Sequence, residues 1–404
     1  MHFFLQATRC GGFAVEPLHI LDGMRRLLVL VSTIIFVDAM LFTALTPLVP
    51  GYAEDFGLSK IGAGVLVGAF GAGALLGGVP GGIAAARLGP KRAVVAGLLL
   101  LGLASFAFAL AGSAATLGAA RFVQGFSSTT TWAGALAWLA VVAPSERRGA
   151  VIGTAFAAGV SGAVLGPVFG GVAQLVGIRT SFATVGILAL LFAVLAAVPR
   201  DTPPEPITSA GIANAFRDAR FIGGLWLNTL PAFLFGMLIV LAPLALHSHG
   251  WSTLAISAVF FAAGLFEVVV NPIVGRTSDR RGRLLPIRLA LAASTVVAAG
   301  LAAATAPLVI ALLVCAGFLC FGGFYTPGIA LTSHRADAVG IAQGLAFGIM
   351  NSAWALGELT GPTIGGALAQ AFDDAVPYLL GAVLCVLTLV ATQVAAQNAR
   401  ARAA

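Results

Sequence analysis

Charged residues are scarce in this chain of 404 residues. Only 9% of the residues are Asp, Glu, Lys or Arg, against roughly 25% in an average soluble domain. Hydrophobic residues make up 59% of the chain, and the mean hydropathy is +1.01. So few polar side chains cannot cover the surface of a soluble globule. The composition therefore excludes an ordinary soluble domain and predicts a protein that uses lipid as its solvent.

Several chemical signatures are also missing from the sequence. A phosphate-binding P-loop is absent, which argues against ATP hydrolysis, and so is the clustered His and Glu pattern of an intramembrane metalloprotease. The four cysteines lack the spacing of metal ligands. His247 and His249 supply two ligands at most, so a polar turn is the simpler interpretation. We therefore expect no enzymatic activity, no cofactor and no metal.

Continuously apolar runs of about 20 residues recur along the whole length, and one membrane-crossing helix needs about that many. The runs do not alternate between apolar and polar residues, which excludes a transmembrane β-barrel. We therefore predict an all-α membrane protein with twelve transmembrane helices. The predicted spans are residues 27–50, 60–83, 92–112, 116–142, 150–175, 180–198, 221–246, 252–275, 285–306, 307–332, 338–370 and 375–397.

The basic residues that give the chain its net charge of +7 lie mostly on one side of the predicted membrane. With the N-terminus in the cytoplasm, nineteen of the 22 Lys and Arg residues fall on the cytoplasmic side. Lys60 and Arg179 fall outside, and Arg121 lies within the fourth span. This is the positive-inside asymmetry of an inserted helical bundle. The basic residues therefore predict a multi-pass protein of the inner (plasma) membrane with both termini in the cytoplasm, and not a nucleic-acid-binding protein.

The two halves of the chain repeat each other. A glycine and proline pattern in the fifth span recurs 195 residues later in the eleventh, and the loops after the second and eighth spans match at an offset of 193. We therefore predict two pseudo-symmetric six-helix bundles. The pattern predicts hinges, because proline breaks a helical hydrogen bond; for any single glycine the alternative is tight packing. The predicted hinge residues are Gly153, Gly162, Gly166, Pro167, Gly170, Gly348, Gly357, Gly361, Pro362 and Gly365.

The organisation that follows has five parts. We predict an N-terminal cytoplasmic tail (1–23), an N-terminal bundle (24–198), a proline-rich cytoplasmic linker (199–220), a C-terminal bundle (221–397) and a short cytoplasmic tail (398–404). Residues 1–23 lack the long apolar core of a signal peptide. Met24 directly precedes two arginines and the first span, which leads to the hypothesis that translation begins there.

Several of these motifs resemble those of the major facilitator superfamily. Residues 275–283 resemble its signature loop, 121–125 its second motif, and 153–170 a motif of its antiporters. Residues 47–50 resemble part of a motif of its twelve-span drug:proton antiporters. The first-half loop departs from the family, with Ala86 in place of the signature Asp. The resemblance implies conformational gating by Gly82, Arg87, Gly89, Gly275, Asp279, Arg280, Gly282 and Arg283.

Four ionisable residues lie well inside predicted spans: Asp38, Arg121, Glu267 and Glu358. A charge at mid-membrane costs on the order of 2.5–3.5 kcal/mol, so such groups face a cavity or one another. We predict that these four couple protons or bind substrate. For Asp38 the alternative is a structural salt bridge with Arg121, and for Arg121 it is bracing of the fourth helix. For Glu267 and Glu358 the alternative is a structural polar contact.

Glu358 shares one face of the eleventh span with Asn351 and Trp354, and an aromatic ring beside a carboxylate suits a lipophilic cation. Other polar and aromatic residues are candidates for lining the same cavity, although most aromatics in such a bundle only pack. The cavity candidates are Gln124, Trp132, Asn228, Phe235, Tyr325, Asn351 and Trp354.

The function that follows is secondary active transport. The resemblance implies proton-coupled efflux (antiport) of small lipophilic or cationic organic compounds by alternating access. A transporter of sugars or other metabolites is the first alternative, and a non-transporting membrane sensor is the second. The expected partners are the lipid bilayer, a small-molecule substrate and protons, without nucleic acid, and we expect a monomer.

Overall fold

The computed structural model describes residues 16–144, 147–199, 212–339 and 343–401, and these are almost entirely helical. A 3-10 turn, Thr46–Leu48, follows the first helix. Numbered in chain order, the helices are α1 (Glu16–Ala44), α2 (Val49–Asp55), α3 (Lys60–Leu88), α4 (Pro90–Ala109), α5 (Ala114–Val142), α6 (Arg148–Val176), α7 (Ile178–Ala197), α8 (Ile212–Ala215), α9 (Ala219–Ser248), α10 (Thr253–Arg281), α11 (Leu284–Ala303), α12 (Pro307–Gly323), α13 (Tyr325–Ala338), α14 (Gln343–Ala371) and α15 (Ala375–Ala401).

Ten segments of the described chain are long and apolar enough to cross a membrane. The predicted fourth and eleventh spans, α5 and α14, fall below that level of hydropathy although each is 29 residues long. The reason is visible in α5, which buries Arg121, Gln124 and the hydroxyl-rich run 127–131 against neighbouring helices. α5 packs on α3 and α4, and α14 packs on α3 and α9. The prediction of an all-α membrane protein is confirmed, and the two least apolar spans lie inside the bundle.

The predicted repeat is visible in how equivalent helices begin and end. Ser59 and Ser252, 193 residues apart, each accept a backbone N–H through Oγ and so cap the N-termini of α3 and α10. Gly89 and Gly282, at the same offset, end these helices with φ of +93° and +84°. A side chain would be strained at that φ, so glycine is required in both halves. The two halves therefore share their local backbone geometry as well as their sequence pattern.

The glycines of the repeated pattern bring helices into backbone contact. A Cβ atom added to Gly162 would overlap the Phe36 carbonyl of α1, and one added to Gly361 would overlap the Phe233 carbonyl of α9. Gly166, Gly170 and Gly357 also lie against backbone carbonyls, and Gly365 lies against the Met237 side chain. Gly153 and Gly348 have no atom within 4 Å of such a Cβ. α6 and α14 both continue through Pro167 and Pro362. Tight packing therefore explains most of the pattern, and a hinge role stays a prediction.

The proline in α6 leaves a carbonyl that α1 satisfies. Pro167 has no N–H to offer the carbonyl of Ala163, four residues earlier. Thr43 Oγ1 of α1 donates to that carbonyl at 2.7 Å. We expect Thr43→Val, which keeps the side-chain shape, to lower the free energy of unfolding by about 1 kcal/mol, since a partly buried acceptor loses its donor.

The measurement for this prediction is thermal unfolding of the purified protein in detergent. Thr33→Val is the matched control on the same helix, because the exposed Thr33 hydroxyl donates only to Val29 of its own helix. Equal stability of the Thr43 and Thr33 variants would show that the carbonyl does not need this donor.

Hydrogen bonds and an ion pair at Asp218 hold the first helix of the C-terminal half in place. Asp218 caps α9 by accepting the N–H groups of Arg220 and Phe221 at 3.0 Å, and it forms an ion pair with Arg335 of α13. The hydrogen bonds from Arg335 lower the pKa of Asp218 to about 2.

Residues 200–211 of the predicted linker, 1–15 of the N-terminal tail and 402–404 lie outside the described residues. The domain boundaries therefore stay predictions.

Candidate functional site

Asp38 lies in α1 and is only 2% exposed. Two donors from α5 converge on its Oδ2 atom: the hydroxyl of Ser128 at 2.6 Å and the indole N–H of Trp132 at 2.9 Å. The two donors are four residues apart and so share one face of α5. The carboxylate is therefore held by hydrogen bonds between two helices.

Arg121 is also almost fully buried, at 1% exposure. One amino group donates to the carbonyl of Leu41 and to Gln124 Oε1, both at 3.2 Å, and the other donates to the carbonyl of Phe42 at 3.1 Å. Its guanidinium carbon lies 4.8 Å from the centre of the Phe70 ring. The positive charge is thus stabilised by backbone dipoles and an aromatic face.

Asp38 and Arg121 consequently use different partners. The ion pairs found in the described part of the chain do not join them, so the predicted alternative of a structural salt bridge is not what holds Asp38. Within the same part of the chain, Arg121 Nε and Gln124 Nε2 are buried without a hydrogen-bond partner. Unpaired buried donors are costly, and a bound molecule or water would satisfy them.

Glu358 is the candidate carboxylate of α14, in the C-terminal half. It accepts a hydrogen bond from the indole N–H of Trp354, one turn earlier in α14. The Trp354 ring lies 4.5 Å from Tyr325 and 6.3 Å from Phe235, centre to centre. Asn351, predicted on the same face, is exposed. Two predicted cavity aromatics, Tyr325 and Phe235, therefore lie around the tryptophan that holds Glu358.

α3 connects the two sites through adjacent residues. Phe70 lies under the Arg121 guanidinium and packs on Phe42, 4.9 Å between ring centres. A Cβ atom added to the next residue, Gly71, would lie 2.6 Å from the Glu358 carbonyl carbon and 2.9 Å from its Cβ. The structure therefore brings Arg121 and Glu358 against adjacent residues of one turn of α3.

The remaining candidates contact other parts of the C-terminal half. Glu267 packs against Gly322 of α12. Asn228 is buried, and its amide donates to the Gly224 carbonyl of its own helix. Phe235 also packs on Phe318 at 5.0 Å. These contacts give no direct link to Asp38 or Arg121.

The predicted gating residues lie at one end of the bundle, which we call the basic end. A Cβ added to Gly82 would meet no atom within 4 Å, and Arg87 is exposed. Arg283 donates to the Ala330 carbonyl at 2.9 Å, tying the start of α11 to α13. Arg280 is exposed, whereas the side-chain surroundings of Gly275 and Asp279 lie outside the described part of the structure. Their gating role stays a prediction.

At the opposite end, which we call the Lys60 end, the two halves touch. Lys60 Nζ lies 2.5 Å from Asp374 Oδ1, and His247 Nε2 lies 2.9 Å from Glu54 Oε1. The backbone N–H of Ile61 donates to the Gln370 side chain at 3.1 Å. Sequence analysis missed these contacts. The sequence predicts that Lys60 is one of two basic residues on the external side of the membrane. Its charge alone does not reveal a partner 314 residues away.

Close helix packing continues the contact between the two halves from the Lys60 end into the bundle. α3 packs along α14, and α6 packs against α10. A Cβ added to Gly64 would overlap the Pro362 carbonyl, and one added to Gly171 would overlap the Ser257 hydroxyl. Glycines of the basic end, Gly82 and Gly348, face open space instead. The conformation is therefore closed at the Lys60 end.

Comparison with known proteins agrees with this architecture. The family model of the Major Facilitator Superfamily matches residues 31–347. Multidrug resistance protein 2 of Bacillus subtilis is 24% identical over 390 residues, covering 93% of this chain and 96% of that protein. Quinolone resistance protein NorA of Staphylococcus aureus is 27% identical over 341 residues, covering 82% and 87%.

Two solved structures show the same fold at low sequence identity. A bacterial homolog of the human lysosomal transporter Spinster, in an inward-facing and unoccupied conformation, gives a TM-score of 0.71 at 16% identity, covering 91% of this chain and 95% of that one. A D-xylose–proton symporter gives 0.70 at 18%, covering 90% and 97%. With a family match over most of its length and the fold of its solved members, this chain belongs to the Major Facilitator Superfamily of membrane transporters.

Proposed function

We propose that this transporter exports small lipophilic or cationic organic compounds in exchange for protons, by alternating access and as a monomer. One observation carries the proposal. Asp38 is a buried carboxylate held by two hydrogen-bond donors and not by Arg121. A buried carboxylate with no cation in direct contact can be neutralised by a proton or by a cationic substrate, and burial disfavours the state that has neither.

This arrangement supports exchange because the two ligands compete for one group. A proton bound on Asp38 removes the attraction for a cation, and a bound cation removes the need for a proton. Coupling then follows from differential affinity in the two conformations. Arg121, held on the carbonyls of α1, keeps positive charge near both carboxylates.

The C-terminal half supports the proposed class of substrate. Aromatic rings beside a carboxylate attract lipophilic cations through the faces of the rings and the negative charge. Trp354, Tyr325 and Phe235 supply such rings next to Glu358. The two named relatives are a multidrug resistance and a quinolone resistance protein, which favours export of organic compounds over uptake of sugars.

The closed Lys60 end supports export as the direction of substrate transport. The basic end carries most of the arginines and is proposed to face the cytoplasm. The described conformation is then closed to the outside, as an exporter must be while it collects its substrate from the cytoplasm. Opening the Lys60 end requires the contacts of Lys60 with Asp374 and of His247 with Glu54 to break.

Transport of a lipophilic cationic dye in energised, inverted membrane vesicles tests the proposal. We expect dye accumulation that stops when a protonophore collapses the proton gradient. Accumulation that continues without the gradient, or transport of sugars but not of organic cations, would contradict it.

Replacing Trp132 by phenylalanine tests the contact with Asp38 in the same assay. Trp132→Phe keeps a ring against Phe156 but removes the N–H donor. We expect the transport rate to fall about tenfold, since a hydrogen bond to a charged group contributes roughly 1.5–3 kcal/mol. Trp226→Phe is the matched control, because it removes an N–H that donates to Thr388 in the other half. Equal rates for the two variants would show that the indole N–H does not serve the site.

A further inference from the structure

A groove on the outer surface of the N-terminal half lies between α1 and α7, away from the proposed transport site. It encloses about 450 Å³ and is lined by Arg25, Arg26, Val29, Leu30, Thr33, Phe192 and Leu195. Its floor is apolar, and Val29 is 66% exposed. The groove therefore opens toward the bilayer.

The two arginines give the groove a polar end. Both are exposed, and in the described part of the chain neither guanidinium has a hydrogen-bond or ion-pair partner. The lining includes no acidic side chain. Thr33, the remaining polar residue, is occupied by the Val29 carbonyl of its own helix at 2.8 Å. Among the residues whose side chains are described, these two positive charges therefore have no partner, and they stand at the end of a spanning helix, at the level of the lipid headgroups.

We propose that this groove binds one anionic phospholipid. The phosphate would lie between Arg25 and Arg26, which suit phosphate because guanidinium groups donate paired hydrogen bonds. The first part of an acyl chain would follow Val29, Leu30 and Phe192 down the helix surface. The volume suits a headgroup and the beginning of the chains, because it lies within the range of small-molecule sites.

The charge pattern selects this occupant over others. A lipophilic cation would be repelled by the two arginines, and a zwitterionic lipid would bring its own positive group to the same place. Basic pockets beside membrane helices attract anionic headgroups. The site goes beyond the proposed transport function, since none of its residues contacts Asp38, Arg121 or Glu358 in the described hydrogen bonds.

The test is binding of a fluorescent phosphatidylglycerol to the full-length protein in an uncharged detergent, with fluorescent phosphatidylcholine as reference. We expect saturable binding of one phosphatidylglycerol per chain. Each of Arg25→Gln and Arg26→Gln should weaken it about fivefold, and the double variant about 25-fold. Arg179→Gln, an exposed arginine outside the groove, should leave it unchanged.

A second variant distinguishes specific binding in the groove from non-specific attraction of the anionic lipid to positive charge. Val29→Trp fills the apolar floor and keeps both arginines, so binding should also fall at least about fivefold. Full binding in that variant would show that the groove is not used. Equal affinity for the two lipids in the unaltered protein, or equal losses for Arg25→Gln and Arg179→Gln, would overturn the proposal. Thermal unfolding of each variant verifies that it is folded.

Discussion

Replacing Asp38 by asparagine is expected to abolish proton-driven transport, with a loss of about 100-fold or more, the lower end of what a positioned proton-transfer group contributes. Asparagine has nearly the same size as aspartate and still accepts hydrogen bonds from Ser128 and Trp132. It can neither take up a proton nor attract a cation. The variant should therefore fold and insert while losing the exchange step. The measurement is dye transport in energised vesicles, normalised to the amount of folded protein.

Asp55→Asn is the matched control, because Asp55 is an exposed acidic residue at the end of α2. It should transport at the rate of the unaltered protein. Full proton-driven transport by the Asp38 variant would remove the carboxylate from the mechanism. Absence of folded protein in that variant would instead show that Asp38 is needed for the fold, which also contradicts the expectation.

Replacing Gly64 by valine should stop transport without unfolding either half. Gly64 lies on α3 where the two halves meet, and a Cβ there overlaps the backbone carbonyl of Pro362 in α14. A backbone atom cannot move aside as a flexible side chain does, and overpacking typically costs about 1–3 kcal/mol. The halves must then separate at the Lys60 end. We expect transport to fall about 100-fold, since a cost near 3 kcal/mol opposes the closed state.

The accessibility of Ser257→Cys to a membrane-impermeant thiol reagent reports this opening. Ser257 is 2% exposed and lies against Gly171 where α10 meets α6. Its labelling from the Lys60 side should rise when Gly64→Val is added. Gly118→Val is the control, since a Cβ at Gly118 meets no atom within 4 Å. Unchanged labelling with retained transport would mean that α3 and α14 do not need to approach so closely.

The fold could be predicted from the sequence because its signals are local. Each span is a continuous apolar run, and the repeat at an offset of 193 corresponds to two capping serines and two glycines of positive φ. The spans α5 and α14 are the instructive exceptions to simple hydropathy. Their polar side chains lower the hydropathy of the helix while facing other helices, so a hydropathy threshold alone misses them.

The site was only partly predictable. A carboxylate within an apolar run is conspicuous, so the sequence identifies Asp38 and Glu358 by their positions inside predicted spans. Their partners were not, because Ser128 lies 90 residues from Asp38 and reaches it only through the packing of α1 and α5. The backbone partners of Arg121 in α1 leave no signal in the sequence, since every residue has a carbonyl group like those of Leu41 and Phe42. Contacts between distant helices depend on tertiary packing, which a single sequence does not display.

The most direct measurement is proton movement during substrate transport in proteoliposomes that contain a pH-sensitive dye. Adding a lipophilic cation on one side of the unaltered protein should drive protons in the opposite direction, and the Asp38→Asn protein should show no such flux. Cation movement without any counter-movement of protons, or an equal proton flux in the asparagine variant, would contradict coupling through the buried carboxylate.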